Sequence, residues 1–303
     1  MMNRLYFMYC FAILNSKLVF SNGNPFMGYN VQQAEVHEFD FVVSISIKRY
    51  ASLVLEEDYH ICGGVLITTR YVITSAHCKC EGSGELEDYT VKVGHDLRNW
   101  EANYSIMSWK NFKRCCCPLY KRENTCNDIA VLKLAKDIRS KITRNIELPA
   151  INYSPIDQLY NKNATSADWG NVNSMLHPRY MQKVTMTTIS MQECLRNINQ
   201  AHRIAELNND LPKNYVLESN ILCSNGNRVP GVIPYTILGD GDSGGPLIIG
   251  KNQIIAINLG SFPVIGPDYR TYEQTMHVAL SVHREFIENQ IRNKGWIGCL
   301  GKN

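Results

Sequence analysis

Apolar positions in this chain recur in short runs, more often with a period near two than with a helical one. The run Phe41-Val42-Val43-Ser44-Ile45-Ser46-Ile47 alternates and reads as a strand. Val65-Leu66-Ile67 and Tyr71-Val72-Ile73-Thr74 come next, split by a turn at Thr69-Arg70, and then Val91-Lys92-Val93, Ile129 to Leu134 and Lys183 to Ile189. Short strands between polar loops predict an all-β barrel or sandwich. The segment from about Pro149 to Asn163 is polar and turn-forming, which places a boundary between two lobes there. Between Cys194 and Cys223 the chain is polar and charged with scattered Leu and Ile, which predicts a helical turn or two inside a long loop. Such a loop carries specificity or is a tolerated surface insertion. Near the C-terminus Val282, Phe286, Ile287 and Ile291 recur at helical spacing, with Gly295 where a cap belongs, so a helix packed on a barrel is expected.

Composition narrows the class. With 303 residues and 45% hydrophobic positions the chain can bury a full core, and a net charge of +3 from 31 basic and 28 acidic residues gives no reason to expect nucleic acid or a membrane surface as partner. At the N-terminus Arg4, an apolar run from Leu5 to Leu14 and the small-residue site Val19-Phe20-Ser21 read as a signal peptide over residues 1–21. A membrane anchor is the weaker alternative, because a spanning helix needs roughly 20 apolar residues. The expected localisation is therefore extracellular. Eleven cysteines become ten once Cys10 leaves with the signal peptide, and an even count in a secreted chain predicts disulfides. The sequons at Asn103 and Asn163 are expected to carry glycans on surface loops, whereas the one at Asn152 is followed by Pro155 and is poorer.

Three stretches bear chemistry. In Gly239-Asp240-Gly241-Asp242-Ser243-Gly244-Gly245-Pro246-Leu247 a serine is flanked by residues that let the backbone bend sharply and present its hydroxyl, with the Gly241 and Ser243 amides able to face an oxyanion. Alone, the stretch would read as a Gly/Asp surface turn. Upstream, Cys62-Gly63-Gly64 and Thr74-Ser75-Ala76-His77-Cys78 place a histidine beside a cysteine that can bridge back to Cys62, a closure worth about 3 kcal/mol. In Cys126-Asn127-Asp128-Ile129-Ala130 a carboxylate stands at the mouth of an apolar strand. An ionised acid bonded to one ring nitrogen of His77 would fix its tautomer, and the other nitrogen could then take the Ser243 proton. The other seven histidines lie in no comparable context.

Together and in this order, the three stretches resemble the motifs of the trypsin/chymotrypsin-like serine peptidases, and the resemblance runs from about Phe39 to Ile291. Leu148-Pro149, Trp169-Gly170 and Glu193-Cys194 are lesser matches. The resemblance implies an all-β fold of two packed six-stranded barrels with a C-terminal helix, the first over about 28–150 and the second over about 151–303 of a domain spanning 22–303. It implies His77, Asp128 and Ser243 as catalytic residues, Gly241 and Ser243 as the oxyanion hole, and disulfides Cys62–Cys78 and Cys194–Cys223. Pairing of Cys80, Cys115, Cys116, Cys117, Cys126 and Cys299 stays open. A zinc cluster among them is disfavoured by an oxidising compartment and by the lack of histidine spacing. No cofactor or metal is implied; the partners are protein or peptide substrates and protein protease inhibitors, and the state is monomeric.

Two departures from the family pattern matter. The base of the specificity pocket is Ile237 where an aspartate would select Arg or Lys, its usual cysteine is Gly239, and its wall reads Asn258-Leu259-Gly260, with Thr275 facing the same pocket. An apolar floor cannot compensate a cation, so cleavage after neutral residues is expected. The second departure is at activation. No basic residue closely precedes Phe26-Met27-Gly28-Tyr29-Asn30-Val31, although Asp242, the expected acceptor of a new terminal ammonium, is present. Without such a partner Asp242 is expected to stay out of the interior. Three functions compete: an active secreted serine endopeptidase, a catalytically silent homologue that binds a partner, and an unrelated secreted β protein. The intact triad residues favour the first.

Overall fold

Fourteen strands appear among the described residues, which in this computed structural model are 31–51, 55–79, 85–112, 127–138, 147–170, 177–206, 219–226, 238–265 and 271–292. The expected signal peptide, Phe26, Gly28, Ile237, Gly295 and the six cysteines Cys80, Cys115, Cys116, Cys117, Cys126 and Cys299 lie outside them.

After β1 (Val31–Gln33), six strands make the first barrel: β2 (Val42–Ala51), β3 (Leu55–Leu66), β4 (Tyr71–Thr74), β5 (Tyr89–Val93), β6 (Ala102–Asn111) and β7 (Ala130–Leu134). They close in the order β2-β3-β4-β7-β6-β5, with β5 returning to β2 through Ile45↔Val91. Closure removes the exposed edges that a sheet would otherwise leave. Inward positions such as Val43, Ile45, Ile73, Val91 and Leu132 are fully buried, each worth about 1.5–3 kcal/mol in apolar transfer.

The second barrel uses β9 (Asn163–Asp168), β10 (Gln182–Ile189), β11 (Ile221–Gly226), β12 (Pro246–Ile249), β13 (Gln253–Ile265) and β14 (Thr271–Ala279). Its ring runs β9-β10-β11-β14-β13-β12 and closes because β12 and β10 both pair with β9. Strand β1 adds to β10, and the short β8 (Ala150–Ile151) lies parallel to β13 where the chain crosses between barrels.

Two α-helices appear among the described residues. Helix α1 (Met191–Glu206) is 16 residues long, so the segment after Cys194 is more helical than the expected turn or two. Its start is set by Ser190, whose hydroxyl accepts the Glu193 amide at 3.1 Å, the N-cap arrangement that satisfies one orphan donor. Helix α2 (Arg284–Ile291) buries Phe286 and Ile287, and Phe286 meets Phe112 at the end of β6, so α2 packs back on the first barrel. Val282 precedes it in a 3-10 turn and is 49% exposed, which corrects its place on the expected apolar face. Among the described residues no helix is long and apolar enough to cross a membrane.

Both preferred sequons are exposed, but on strands: Asn103 points outward from β6 and Asn163 opens β9. The expected surface loops are thus replaced by outer barrel faces, where alternate residues look to solvent.

Candidate active site

The loop that carries Ser243 is a tight turn sewn to both barrels. Gly241 and Gly244 have φ of +99° and +82°, a region that favours glycine. The Asp242 amide donates to Gly239 O at 3.1 Å and the Gly245 amide to Asp242 O at 3.2 Å, closing the turn. Gly244 N donates to Asn258 O, and Asn258 N to Gly245 O, both at 2.8 Å, which fixes the loop on β13. From the first barrel, Gly63 N on β3 donates to Ser243 O at 2.9 Å. The Ser243 hydroxyl lies 3.4 Å from Leu259 O.

His77 comes after the end of β4 in a segment tied down at several points. Cys78 is bridged to Cys62 on β3, Thr74 Oγ1 donates to Gly63 O at 2.8 Å, and Ser75 Oγ reaches across the barrels to Asn258 O at 2.9 Å. Asp128, just ahead of β7, grips the histidine twice. Its Oδ1 accepts the His77 backbone amide at 2.8 Å, and its Oδ2 is bonded to Nδ1 of the ring. With Nδ1–H committed to the carboxylate, Nε2 carries the lone pair, as a general base requires. Both side chains are nearly buried, at 10% and 8% exposure, so the pair sits in a medium where electrostatic interactions are strong. Cys78 Sγ is 3.9 Å from Ser243 O, so the histidine segment and the serine loop share one rim of the cleft between barrels.

Asp242 turns inward, contrary to the expectation for an unpartnered acid. It is fully buried, its Oδ1 accepts Gly170 N and its Oδ2 accepts Gly239 N, each at 2.7 Å. Two backbone amides supply bonds that the sequence leads one to expect only from an ammonium. Burial still pushes its pKa up to about 7, with the two amides opposing the shift. Beside it, His60 Nε2 donates to Gly241 O at 3.1 Å while Nδ1 meets Ser44 Oγ at 2.7 Å, so the ring holds the Gly241 peptide in place. Burial drives the His60 pKa down to about 3, which keeps it neutral.

Of the expected pocket residues, Ile237 lies outside the described residues and its neighbour Leu238 is buried against Val184 and Met186. Strand β13 carries a bulge at Leu259, between the pairs Asn258↔His277 and Gly260↔Met276. The Asn258 side chain is directed into the barrel, where Nδ2 donates to Ser166 Oγ at 2.9 Å and Oδ1 meets His277 Nδ1 at 3.0 Å. Its backbone makes the bonds to the serine loop, through Gly244 N and Gly245 O. His277 continues to Ser224 Oγ at 2.7 Å, and desolvation drives its pKa down to about 3. Thr275 is buried on β14 with its hydroxyl 3.2 Å from Ser261 Oγ. The second expected disulfide, Cys194–Cys223, anchors α1 to β11.

Among the described residues the one grouping with metal-ligand proximity is Cys62, His77 and Cys78, but its two sulfurs form the disulfide and offer no thiolate.

A family model described as Trypsin matches residues 29–275. The chain is 28% identical over 210 residues to kallikrein-7 of Homo sapiens, covering 68% of this chain and 70% of that protein. To a trypsin of Phaedon cochleariae it is 26% identical over 234 residues, or 77% and 79% of the two chains. To a chymotrypsin of the same organism it is 29% identical over 212 residues, or 66% and 63%. Since the family match covers residues 29–275, most of both barrels and the segments that carry His77, Asp128 and Ser243, the chain belongs to the trypsin family of serine proteases.

Proposed function

We propose that the protein is a secreted serine endopeptidase that hydrolyses peptide bonds through an acyl-enzyme, cleaving after neutral residues. The observation that carries this reading is the pair of hydrogen bonds that Asp128 accepts from His77, in a segment whose Cys78 lies against Ser243 O. Ser243 Oγ attacks the scissile carbonyl while His77 Nε2 takes its proton, and Asp128 stabilises the imidazolium that forms. The Gly241 and Ser243 amides bind the oxyanion. Collapse expels the amine, which takes the proton from His77, and water repeats the sequence to release the acid. Substrates are proteins or peptides, with protein protease inhibitors as further partners of a monomeric enzyme. Glycans at Asn103 and Asn163 suit their exposure.

Activation is proposed to require cleavage between Ser21 and Val31, with Gly28 or Phe26 as first residue and its ammonium brought to Asp242. The lack of Arg or Lys just before that stretch favours a second reading, a catalytically silent binding protein. A fluorophosphonate probe decides between them. Labelling of secreted material that disappears in Ser243→Ala supports the enzyme; no labelling of material with a terminus in that window supports the binder.

A further inference from the structure

Asp168, the last residue of β9, is a second buried carboxyl behind the serine loop, and the acyl-transfer mechanism makes no use of it. Its position is unusually close to backbone. A Cβ placed on Gly63 would lie 1.7 Å from Asp168 Oδ2, and one on Gly245 would lie 2.1 Å from the same oxygen. The carboxyl is therefore lodged between two glycines. Gly63 holds Ser243 O through its amide, and Gly245 O holds the Asn258 amide, so both belong to the contacts that seat the serine loop.

Its hydrogen bonds are too few for an anion. Oδ1 accepts the Trp169 amide at 2.9 Å, and Oδ2, although buried, has no hydrogen-bond partner among the described residues. An ionised carboxylate has about four lone-pair sites to satisfy, and leaving them unmet in the interior is costly. Nor do its neighbours supply a counter-charge. His60 Nε2 on β3 is 3.9 Å from Oδ1, but that N–H is given to Gly241 O and the ring is neutral. On the serine loop the facing titratable group is Asp242, itself acidic, with Asp240 beyond it.

We infer that Asp168 is a positioning residue, held as a neutral carboxylic acid that wedges Gly63 against Gly245 and so keeps the Ser243 loop seated on the first barrel. The inference rests on Ser243 being the nucleophile. Burial first, and then the negative charge of Asp242, raise the Asp168 pKa well above the usual carboxylate range. An acid whose pKa is raised by folding contributes stability that is fully present below about pH 4 and is lost as pH rises through the folded value.

The test compares the mature parent protein with Asp168→Asn, which keeps shape and neutrality, and Asp168→Ala, which removes the wedge. Asn should label with fluorophosphonate within threefold of the parent at about pH 6, and Ala at least tenfold more slowly. The advantage of Asn over the parent in Tm should widen as pH rises from about 5 to about 8, read in a Ser243→Ala background to prevent self-digestion. Infrared difference spectra at about pH 6 should show a protonated-carboxyl band in the parent that Asn lacks. A missing band, a Tm gap independent of pH, or an Asn variant that labels as slowly as Ala would each overturn the inference. If the parent takes no label at all, the functional reading falls, while the band and the Tm gap still decide the state of Asp168.

Discussion

The Gly63 amide in the first barrel donates to the Ser243 carbonyl in the second at 2.9 Å. This bond, with Ser75 Oγ to Asn258 O, couples the loop of one barrel to strands of the other, so the spacing between Ser243 and His77 depends on how the barrels dock.

The absence of a side chain at Gly63 is accordingly required. Gly63→Ala would drive its Cβ into Asp168, and overpacking of this kind typically costs about 1–3 kcal/mol. Urea denaturation should show that loss, and adding Asp168→Gly to the same chain should recover more than half of it. No recovery would mean that the two residues do not compete for the same space.

Removal of the reacting groups should leave the fold intact and stop turnover. Ser243→Ala or His77→Ala should lower kcat by on the order of 10⁶, and Asp128→Asn by about 10⁴, because the ring then loses its tautomer control. Hydrolysis of a peptide substrate, read beside an unchanged circular dichroism spectrum, checks this.

Stability should respond to pH with two opposing signs. His60 and His277, forced down to about 3 from an ordinary value near 6.5, contribute stability that is present above about pH 6.5 and lost as pH falls towards 3. Asp242, pushed up to about 7, contributes stability present below about pH 4 and lost as pH rises through 7. His277→Gln should therefore flatten the acid side, by a slope of about 1.4 kcal/mol per pH unit for one proton. Denaturant midpoints at a series of pH values would show it, and an unchanged acid slope would rule out His277 as a contributor.

Substrate profiling should find neutral residues on the acyl side of the cut. If Ile237 floors the specificity pocket, as the family resemblance implies, a buried cation there would lose several kcal/mol of hydration without recompense. Dominant cleavage after Arg or Lys in a peptide library would refute this.

Active material should begin between Ser21 and Val31. Terminal sequencing identifies the residue, and acetylating that terminus should depress kcat by about 10²–10³ if Asp242 then fails to hold the Gly241 amide in place. Full activity after acetylation would show that the two amides on Asp242 suffice without an ammonium.

Much of this architecture was legible in the chain because its signals are local. Alternating runs marked the barrel strands, and the flanks of His77, Asp128 and Ser243 marked where chemistry could sit. The full length of helix α1 is not legible in the sequence, because its apolar residues are sparse, although Ser190 and Glu193 carry the spacing of a capped start. The orientation of Asn258 was not legible, since the bulge at the next residue shifts the register of the strand and the partners Ser166 and His277 are remote in sequence. Nor was Asp168, whose meaning comes from Gly63 and Gly245, two residues that look like ordinary turn glycines until the barrels meet.

Division of the cleft between two barrels has a consequence for the cell that makes the protein. On the proposed reading, a ribosome that has finished the first barrel has produced His77 and Asp128 but not Ser243, and a molecule whose second barrel is undocked holds the serine away from its base. If the protein is the secreted peptidase proposed above, neither form would digest its neighbours in the secretory pathway. Docking of the barrels completes the fold, and on the proposed reading activity waits further for the new terminus.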